Sequence, residues 1–446
     1  MSGTTRPHER RPLTGWGRTA PTVADVVVPA TVDDLRCLIQ RQPSRGVIAR
    51  GLGRSYGDAA QNAGGLVLET GGLDQIGPVD PTSGLVTCGA GVSLDGLIRT
   101  VLPQGWFVPV TPGTRQVTVG GAVAADIHGK NHHGDGSICA HLDSVVLVDG
   151  RGELRTLTPE DDLFWAVPGG MGLTGVIVAA TLRLIPVRSD RMVVDTVRTA
   201  SLDETMEALA EADRTHRYSV AWVDCLAGGG GLGRGVVTAG EHAASPGEHD
   251  GGGRLPTTAW AVPSWAPRLP LSPRTVRLFN EAYHRAAPRS RRSLEPLGSF
   301  FHPLDVVGEW NRLYGARGFV QHQLAVRDPE VVRQVIAMFA AHRAPTFLCV
   351  LKRFGPGSAA PLSFPQPGWT LAVDLPAGDR RVGALLDEVD AAVIAGGGRV
   401  YLAKDARLAP SALAQMYPRL DEWRRLRERL DPDHVFVSDL ARRLHL

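Results

Sequence analysis

Short apolar runs closed by glycine or proline alternate with helical periodicities over the first 190 residues. Strands are predicted at 24–28, 46–50, 66–69 and 85–88. Thr31 precedes a helix over 32–40, with Asp34 in its first turn, and Ser93 opens another that reaches about residue 102. Asp149 and Gly150 separate apolar runs at 145–148 and 153–157, which predicts a hairpin; 176–185 reads as a further strand. After Pro186 the pattern predicts helices at 202–212, 330–341 and 382–395, and strands at 219–224, 319–326, 346–351 and 369–375. Leu413, Met416, Tyr417, Leu420, Trp423, Leu426 and Leu430 recur at spacings of three and four, so 413–430 reads as one amphipathic helix closed by Pro432. Residues 226–300, with glycine runs at 228–231 and 251–253 and several prolines, read as long mobile loops.

A chain of 446 residues exceeds one compact core, which predicts two domains. Gly 52 and Pro 32 exclude a helical bundle, and a net charge of +2 speaks against a nucleic-acid binder. No apolar run approaches the roughly 18 residues of a membrane span, and 1–11 is polar without a secretion signal, which favours the cytoplasmic side of the membrane over the cell envelope. The five cysteines (37, 88, 139, 225 and 349) form no CxxC, so neither a disulfide framework nor a cysteine zinc site is expected.

One count changes the picture. Of 48 basic side chains only Lys130, Lys352 and Lys404 are lysine. Where arginine serves almost everywhere, a lysine that persists points to a need for a compact amine whose pKa burial can lower; three residual surface lysines is the plainer alternative. Lys352 ends a predicted strand. In 400–404 strand alternation puts Lys404 on the face of Leu402, partly buried, where desolvation lowers its pKa and the adjacent Asp405 opposes that.

The run 50–58 (RGLGRSYGD) follows a strand and offers backbone N–H groups to an anion, although a plain tight turn uses the same glycines. Its GxGxxxG spacing is not the dinucleotide fingerprint. Gly228, Gly230 and Gly233 do meet GxGxxG, but a strand follows them, so they read as loop glycines. In 112–133 (PGTRQVTVGGAVAADIHGKNHH) small residues suit a backbone pressed against a flat ligand. His128, His132 and His133 beside Lys130 and Asn131 read better as a polar wall over an anionic or sugar substrate than as a metal site, since Gly129 weakens a helix there and no HExxH glutamate is present. Trp260 and Trp265 lie near 273–292, which carries six Arg and one Glu; an interfacial surface and a solvated loop both fit.

These runs, with 164–175 (FWAVPGGMGLTG), 354–369 (FGPGSAAPLSFPQPGW), 401–405 (YLAKD) and 416–423 (MYPRLDEW), resemble the vanillyl-alcohol-oxidase-type FAD oxidoreductase family, and within it the polyprenylphosphoryl-ribose oxidases of actinobacterial cell-wall synthesis. The resemblance implies an α+β, two-domain FAD-linked oxidase fold of PCMH type. A FAD-binding domain would span 1–190. A substrate-binding domain with an antiparallel sheet would span 191–400, its mobile loops at 226–300, and 401–446 would return to the FAD domain. FAD contacts are implied at Arg50, Gly51, Leu52, Gly53, Arg54, Ser55, Tyr56, Gly57, Asp58, Gly113, Thr118, Val119, Gly120, Gly121, Ala125, Asp126, Ile127, His128, Ile177 and Tyr401, and substrate contacts at Lys130, Gln323, Lys352 and Lys404. Lys404 is implied as the base, with Tyr56 or His128 assisting. All three lysines fall on implied site positions. The implied partners are a polyprenylphosphoryl-ribose substrate, a quinone electron acceptor, a separate NADH-dependent keto-reductase and a peripheral membrane contact.

Two positions depart from the family pattern. Relatives with covalent FAD use a histidine in the first glycine-rich loop; Arg54 and Ser55 stand here, which implies noncovalent FAD. Mycobacterial members carry, after Pro-Gly-Trp, a cysteine that covalent nitroaromatic inhibitors attack; Ala372 stands there, so no adduct is expected at that strand. Two other functions compete: a soluble FAD-dependent sugar or alditol oxidase using O₂, and an inactive flavoprotein acting as an interaction partner.

Overall fold

Thr31 accepts from the Asp34 N–H while the Asp34 carboxylate accepts from the Thr31 N–H, so the helix Val32–Gln40 begins with a capping box. Ser93 caps Leu94–Val101 and Thr118 caps Val119–Ala124 in the same sense, each side-chain oxygen accepting one helix N–H. In the computed structural model, which describes residues 9–244, 255, 258, 260–265, 271–346 and 348–446, the N-terminal portion carries two four-stranded sheets. One has the order Glu9–Leu13, Thr22–Val27, Leu66–Glu69, Val47–Arg50, its last two pairings parallel. The other is antiparallel, in the order Leu85–Gly89, Val176–Arg183, Leu142–Val148, Leu154–Leu157.

The second half is built on an eight-stranded antiparallel sheet. Its order is Ser290–Pro296, Arg191–Thr199, Gly235–His242, Tyr218–Val223, Cys349–Phe354, Gly368–Pro376, Phe319–Val326, Arg399–Val400. Strand alternation gives this sheet two different faces. Leu371, Val373 and Leu375 are buried on the face packed by the helices Pro329–Ala341 and Arg380–Ala395. The residues between them, Thr370, Ala372 and Asp374, share the opposite face with Gln321, Gln323, Val350 and Lys352, their partners in register.

The chain then returns to the first sheets. Leu420–Leu430 packs on 162–166, Phe436 bridges to Val47, and the Asp439 carboxylate accepts from the Ala63 N–H and the Thr22 hydroxyl.

Four sequence expectations change. Within 226–300 lie the strand Gly235–His242, deep in the large sheet, the helix Pro273–Ala286, the strand Ser290–Pro296 and the helix Leu297–Phe301. Glycine density misled there: Gly240 is a packing glycine, since a Cβ on it would lie 2.8 Å from the Phe300 ring. The parts of this stretch at 245–254, 256–257, 259 and 266–270, glycines 251–253 among them, lie outside the described residues, as do 1–8 and Phe347. The strand expected from 346 begins at Cys349. The tail is two helices, Pro410–Met416 and Leu420–Leu430, because Pro418 cannot donate a helix hydrogen bond and turns Tyr417 out of helical geometry. Finally, the strand before Lys404 stops at Val400; Tyr401 begins a turn whose carbonyl accepts from the N–H groups of Lys404 and Asp405.

Candidate functional site

The loop 51–56, the segment 118–130 and the face of the large sheet opposite the helices Pro329–Ala341 and Arg380–Ala395 enclose a cavity of about 1090 Å³, at the upper end of ligand pockets of roughly 300–1,000 Å³. Lys130, Lys352 and Lys404 all line it, each partly buried. They come from a loop, a strand and a turn far apart in the chain, so their convergence is a property of the fold.

Of the positions implied for flavin, loop 51–56, Gly113, Thr118, Gly120, Gly121, Ala125, Ile127, His128, Ile177 and Tyr401 line the cavity. Arg50, Gly57, Asp58, Val119 and Asp126 do not; they hold its wall. The Arg50 guanidinium donates to the Thr14 and Ala60 carbonyls and lies where a Cβ on Gly53 would stand, 2.3 Å away. Gly57 leaves room for the Asp405 carbonyl, 2.0 Å from a would-be Cβ. Val119 is core. Asp126, at φ +43, accepts from the Ser137 and Ser363 hydroxyls and the Cys139 N–H.

The residues present fit FAD. Among the described residues no carbonyl accepts from the N–H groups of Leu52, Gly53, Arg54 or Ser55, which line the cavity as a row of anion donors. The buried Nε of Arg54 has no hydrogen-bond partner, and its guanidinium lies 3.9 Å over the Trp16 ring. Gly51 sits so close to Thr118 that a Cβ would be 2.2 Å from its hydroxyl, and a Cβ on Gly120 would lie 2.8 Å from that of Ala90, so neither position has room for a side chain.

The histidines do not form one wall. His128 faces the cavity, whereas His132 packs on Phe354 and accepts from the Gly355 N–H, and His133 turns to Asp213. His128 Nε2 accepts from Gln323 Nε2 at 2.9 Å, and burial, reinforced by Lys352, holds its pKa well below the ordinary value. It is neutral, with its acceptor nitrogen already used. Burial drives the Tyr56 phenol well above its ordinary pKa, so it keeps its proton. Of the three implied acid–base groups, the amine of Lys404 alone has a free lone pair near neutrality. Burial lowers its pKa to about 7, Asp374 opposing and Lys352 reinforcing the shift. Burial likewise brings Lys130 to about 7 and Lys352 to about 8. Asp405, expected to oppose the shift of Lys404, faces away and pairs with Arg443 at 2.8 Å.

Sequence reasoning missed Trp16, Gln321 and Asp374. Asp374 had a signal: a carboxylate inside the otherwise apolar run 371–375, in phase with Ala372. A third arm of the cavity was also missed. Trp222, Val236, Leu348 and Val350 on the sheet, with Phe279 and Tyr283 above them, give it apolar walls. Ala372 lines the cavity opposite Gln323 and Val350.

A family model described as FAD binding domain matches residues 23–158, and one described as D-arabinono-1,4-lactone oxidase matches 328–444. The decaprenylphosphoryl-β-D-ribose oxidase of Mycolicibacterium smegmatis is 43% identical over 100% of both chains. This chain belongs to the decaprenylphosphoryl-ribose oxidase family of FAD-dependent oxidoreductases. Within the wider group, the L-gulono-1,4-lactone dehydrogenase of Mycobacterium tuberculosis is 25% identical over 94% of this chain and 95% of its own. The alditol oxidase of a Streptomyces species is 30% identical over 39% of this chain and 42% of its own. In this member of the oxidase family, Arg443 ties the glycine loop to the lysine turn. It donates to both oxygens of Asp58, at 2.9 and 2.8 Å, and pairs with the buried Asp405, whose other oxygen caps the turn at Arg407 and Leu408. Arg443→Ala leaves Asp405 unpaired and is expected to cost about 3 kcal/mol in urea unfolding and to weaken FAD retention on dialysis.

Proposed function

We propose that the protein oxidises the 2'-hydroxyl of a polyprenylphosphoryl-β-D-ribose to the 2'-keto sugar, the first half of an epimerisation that yields the arabinose donor for cell-wall arabinan. The observation that carries this reading is the convergence of all three lysines on one cavity that also opens onto an apolar arm. A phosphorylated sugar needs cations and a prenyl chain needs an apolar wall. A free alditol needs no such arm, which disfavours the soluble sugar oxidase. An inactive flavoprotein would have no use for three desolvated amines.

Lys404 takes the proton of the 2'-hydroxyl, the neutral amine becoming an ammonium over the Tyr56 ring, where it lies 3.8 Å from the centroid. Lys352 and Lys130 bind the phosphate and the remaining sugar oxygens. Lys130 is held by its bond to the Phe300 carbonyl and by the Phe300 ring, 4.2 Å from its Nζ. Gln323 holds His128 in the tautomer that offers Nδ1–H to the ligand. When bound, noncovalent FAD supplies the acceptor for the hydride that leaves the carbinol carbon. A quinone then reoxidises the enzyme, and a separate NADH-dependent reductase consumes the keto sugar.

Lys404→Met is expected to keep its yellow FAD and lose roughly 100- to 10,000-fold in the rate of anaerobic bleaching by polyprenylphosphoryl-ribose. The neutral amine is the active form, so the wild-type rate rises with pH through a midpoint near 7. Normal bleaching by the variant would remove Lys404 from the reaction.

The same reading places the protein on the membrane, cytoplasmic side. Trp265 is 80% and Leu278 72% exposed; Trp260, Phe279 and Tyr283 are exposed as well, as are Arg274, Arg289 and Arg292 in the same stretch of chain. No helix among the described residues is long and apolar enough to cross a membrane, which leaves peripheral binding through aromatic rings and arginines. Flotation with vesicles containing anionic lipid is expected for the wild type and lost in Trp265→Ser/Leu278→Ser; equal flotation of both would refute the contact.

A further inference from the structure

Asp374 is a carboxylate on the cavity side of the sheet to which the reaction above gives no task. It is fully buried. Its Oδ1 accepts from Gln321 Nε2 at 2.5 Å, and among the described residues nothing bonds to Oδ2. The strand does not need this side chain, because the Asp374 backbone N–H is satisfied by the Leu348 carbonyl and asparagine would fill the same volume. A buried carboxylate left half-satisfied is costly unless it has a counter-charge. The nearby candidate is Lys404. Gln321 bonds Asp374 and lies beside Tyr56, and Lys404 stands over the Tyr56 ring, so carboxylate, amide, phenol and amine are neighbours on the cavity side of the sheet.

We propose that Asp374 is a positioning residue for the alcohol oxidation: its buried carboxyl anchors the Lys404 amine beside Tyr56 and balances the ammonium that forms when the amine takes the hydroxyl proton. This rests on Lys404 being the base. In that step the O–H bond breaks and an N–H bond forms on Lys404, while the C–H electron pair leaves as hydride to the flavin. A neutral amine beside a carboxylate thereby becomes an ion pair, the one change that lets a dry site absorb the proton without stranding a charge. Burial raises Asp374 to a pKa of about 7 and the nearness of Lys404 opposes that rise, so the two groups influence each other in the expected sense.

The other titratable groups facing the cluster do not take this role. Tyr56, Tyr314 and Cys349, which all feel Asp374, are pushed up and stay protonated. Lys352, on the neighbouring strand, adds positive charge, and His128 is neutral.

The chain's three lysines make the test direct. Holoenzyme labelled at lysine Cε gives three side-chain signals, and Lys404→Arg identifies its own by its loss. Asp374→Asn is expected to lower the titration midpoint of Lys404 by about one unit or more, because the opposing charge is gone, with the Lys130 midpoint unmoved and FAD content unchanged. Turnover at neutral pH falls about tenfold or more while KM changes less than about threefold. Gln321→Leu deletes the amide donor, favours the protonated carboxyl, and shifts Lys404 in the same direction. A Lys404 midpoint that ignores these substitutions overturns the proposal whatever turnover does. If the midpoint moves but Asp374→Asn turns over like the wild type, the positioning role is likewise overturned. Lys404→Met that still turns over would instead overturn the base assignment, so the two readings fail separately.

Discussion

An ammonium group resists leaving water, and this fold draws three amines into one cavity. Each is desolvated, and Lys130 and Lys404 both feel Lys352, so near neutrality the site does not keep all three fully charged. The rest of the molecule can be understood as a way of tolerating that. The carboxylates that would cancel the charge outright are kept back: Asp405 is turned to Arg443, and Asp126 to serines and a backbone N–H. Only Asp374 is left within influence of Lys404, with no salt bridge between them. A bonded ion pair would hold Lys404 protonated, whereas a nearby carboxylate that is not bonded to it lowers the cost of protonation without abolishing the neutral amine.

Precision in such a site comes from elements far apart in the chain. The glycine loop after Val47–Arg50 and the Lys404 turn touch at Gly57 and the Asp405 carbonyl, and Arg443, from the last helix, clamps both. The turn bearing Lys404 and the loop with the free anion donors therefore move together. Tyr401, at the head of that turn, stacks on Phe364 and donates to the Ala125 carbonyl at 2.7 Å, which joins the same turn to the segment carrying His128 and Lys130. Misplacing any one of these supports shifts several site groups at once.

Much of this was legible in the sequence because local rules were obeyed. Thr31 and Ser93 sit where caps should sit, and the strand Phe319–Val326 falls where its pattern predicts. The three lysines could be singled out by rarity alone. What was not legible depended on long-range packing. The stretch 226–300 reads as loop, although a strand is predicted after Gly233, because its glycines signal turns; Gly240 instead serves the close approach of Phe300. The tail pattern continued through Pro418 because both short helices bury the same side against the core. Asp405 was named as the partner of Lys404 because it is adjacent in sequence, but the turn after Val400 reverses its direction, and the true influence arrives from a strand thirty residues earlier.

The apolar arm completes the physical argument for a lipid-linked substrate. The helix Pro273–Ala286 buries little of itself, chiefly Val276 and Asn280, the latter bonded to Asp224 at 2.7 Å. Phe279 and Tyr283 line the cavity and are exposed as well, so one apolar surface runs from the lysines to the exterior. A helix meant only to cap the sheet would turn such residues inward and face water with polar ones. Leaving Leu278 72% exposed on the same helix costs solubility, and apolar surface left open in this way marks an interaction site. The cations inside and the apolar path outside then match the two ends of one amphiphile, a phosphorylated sugar joined to a prenyl chain.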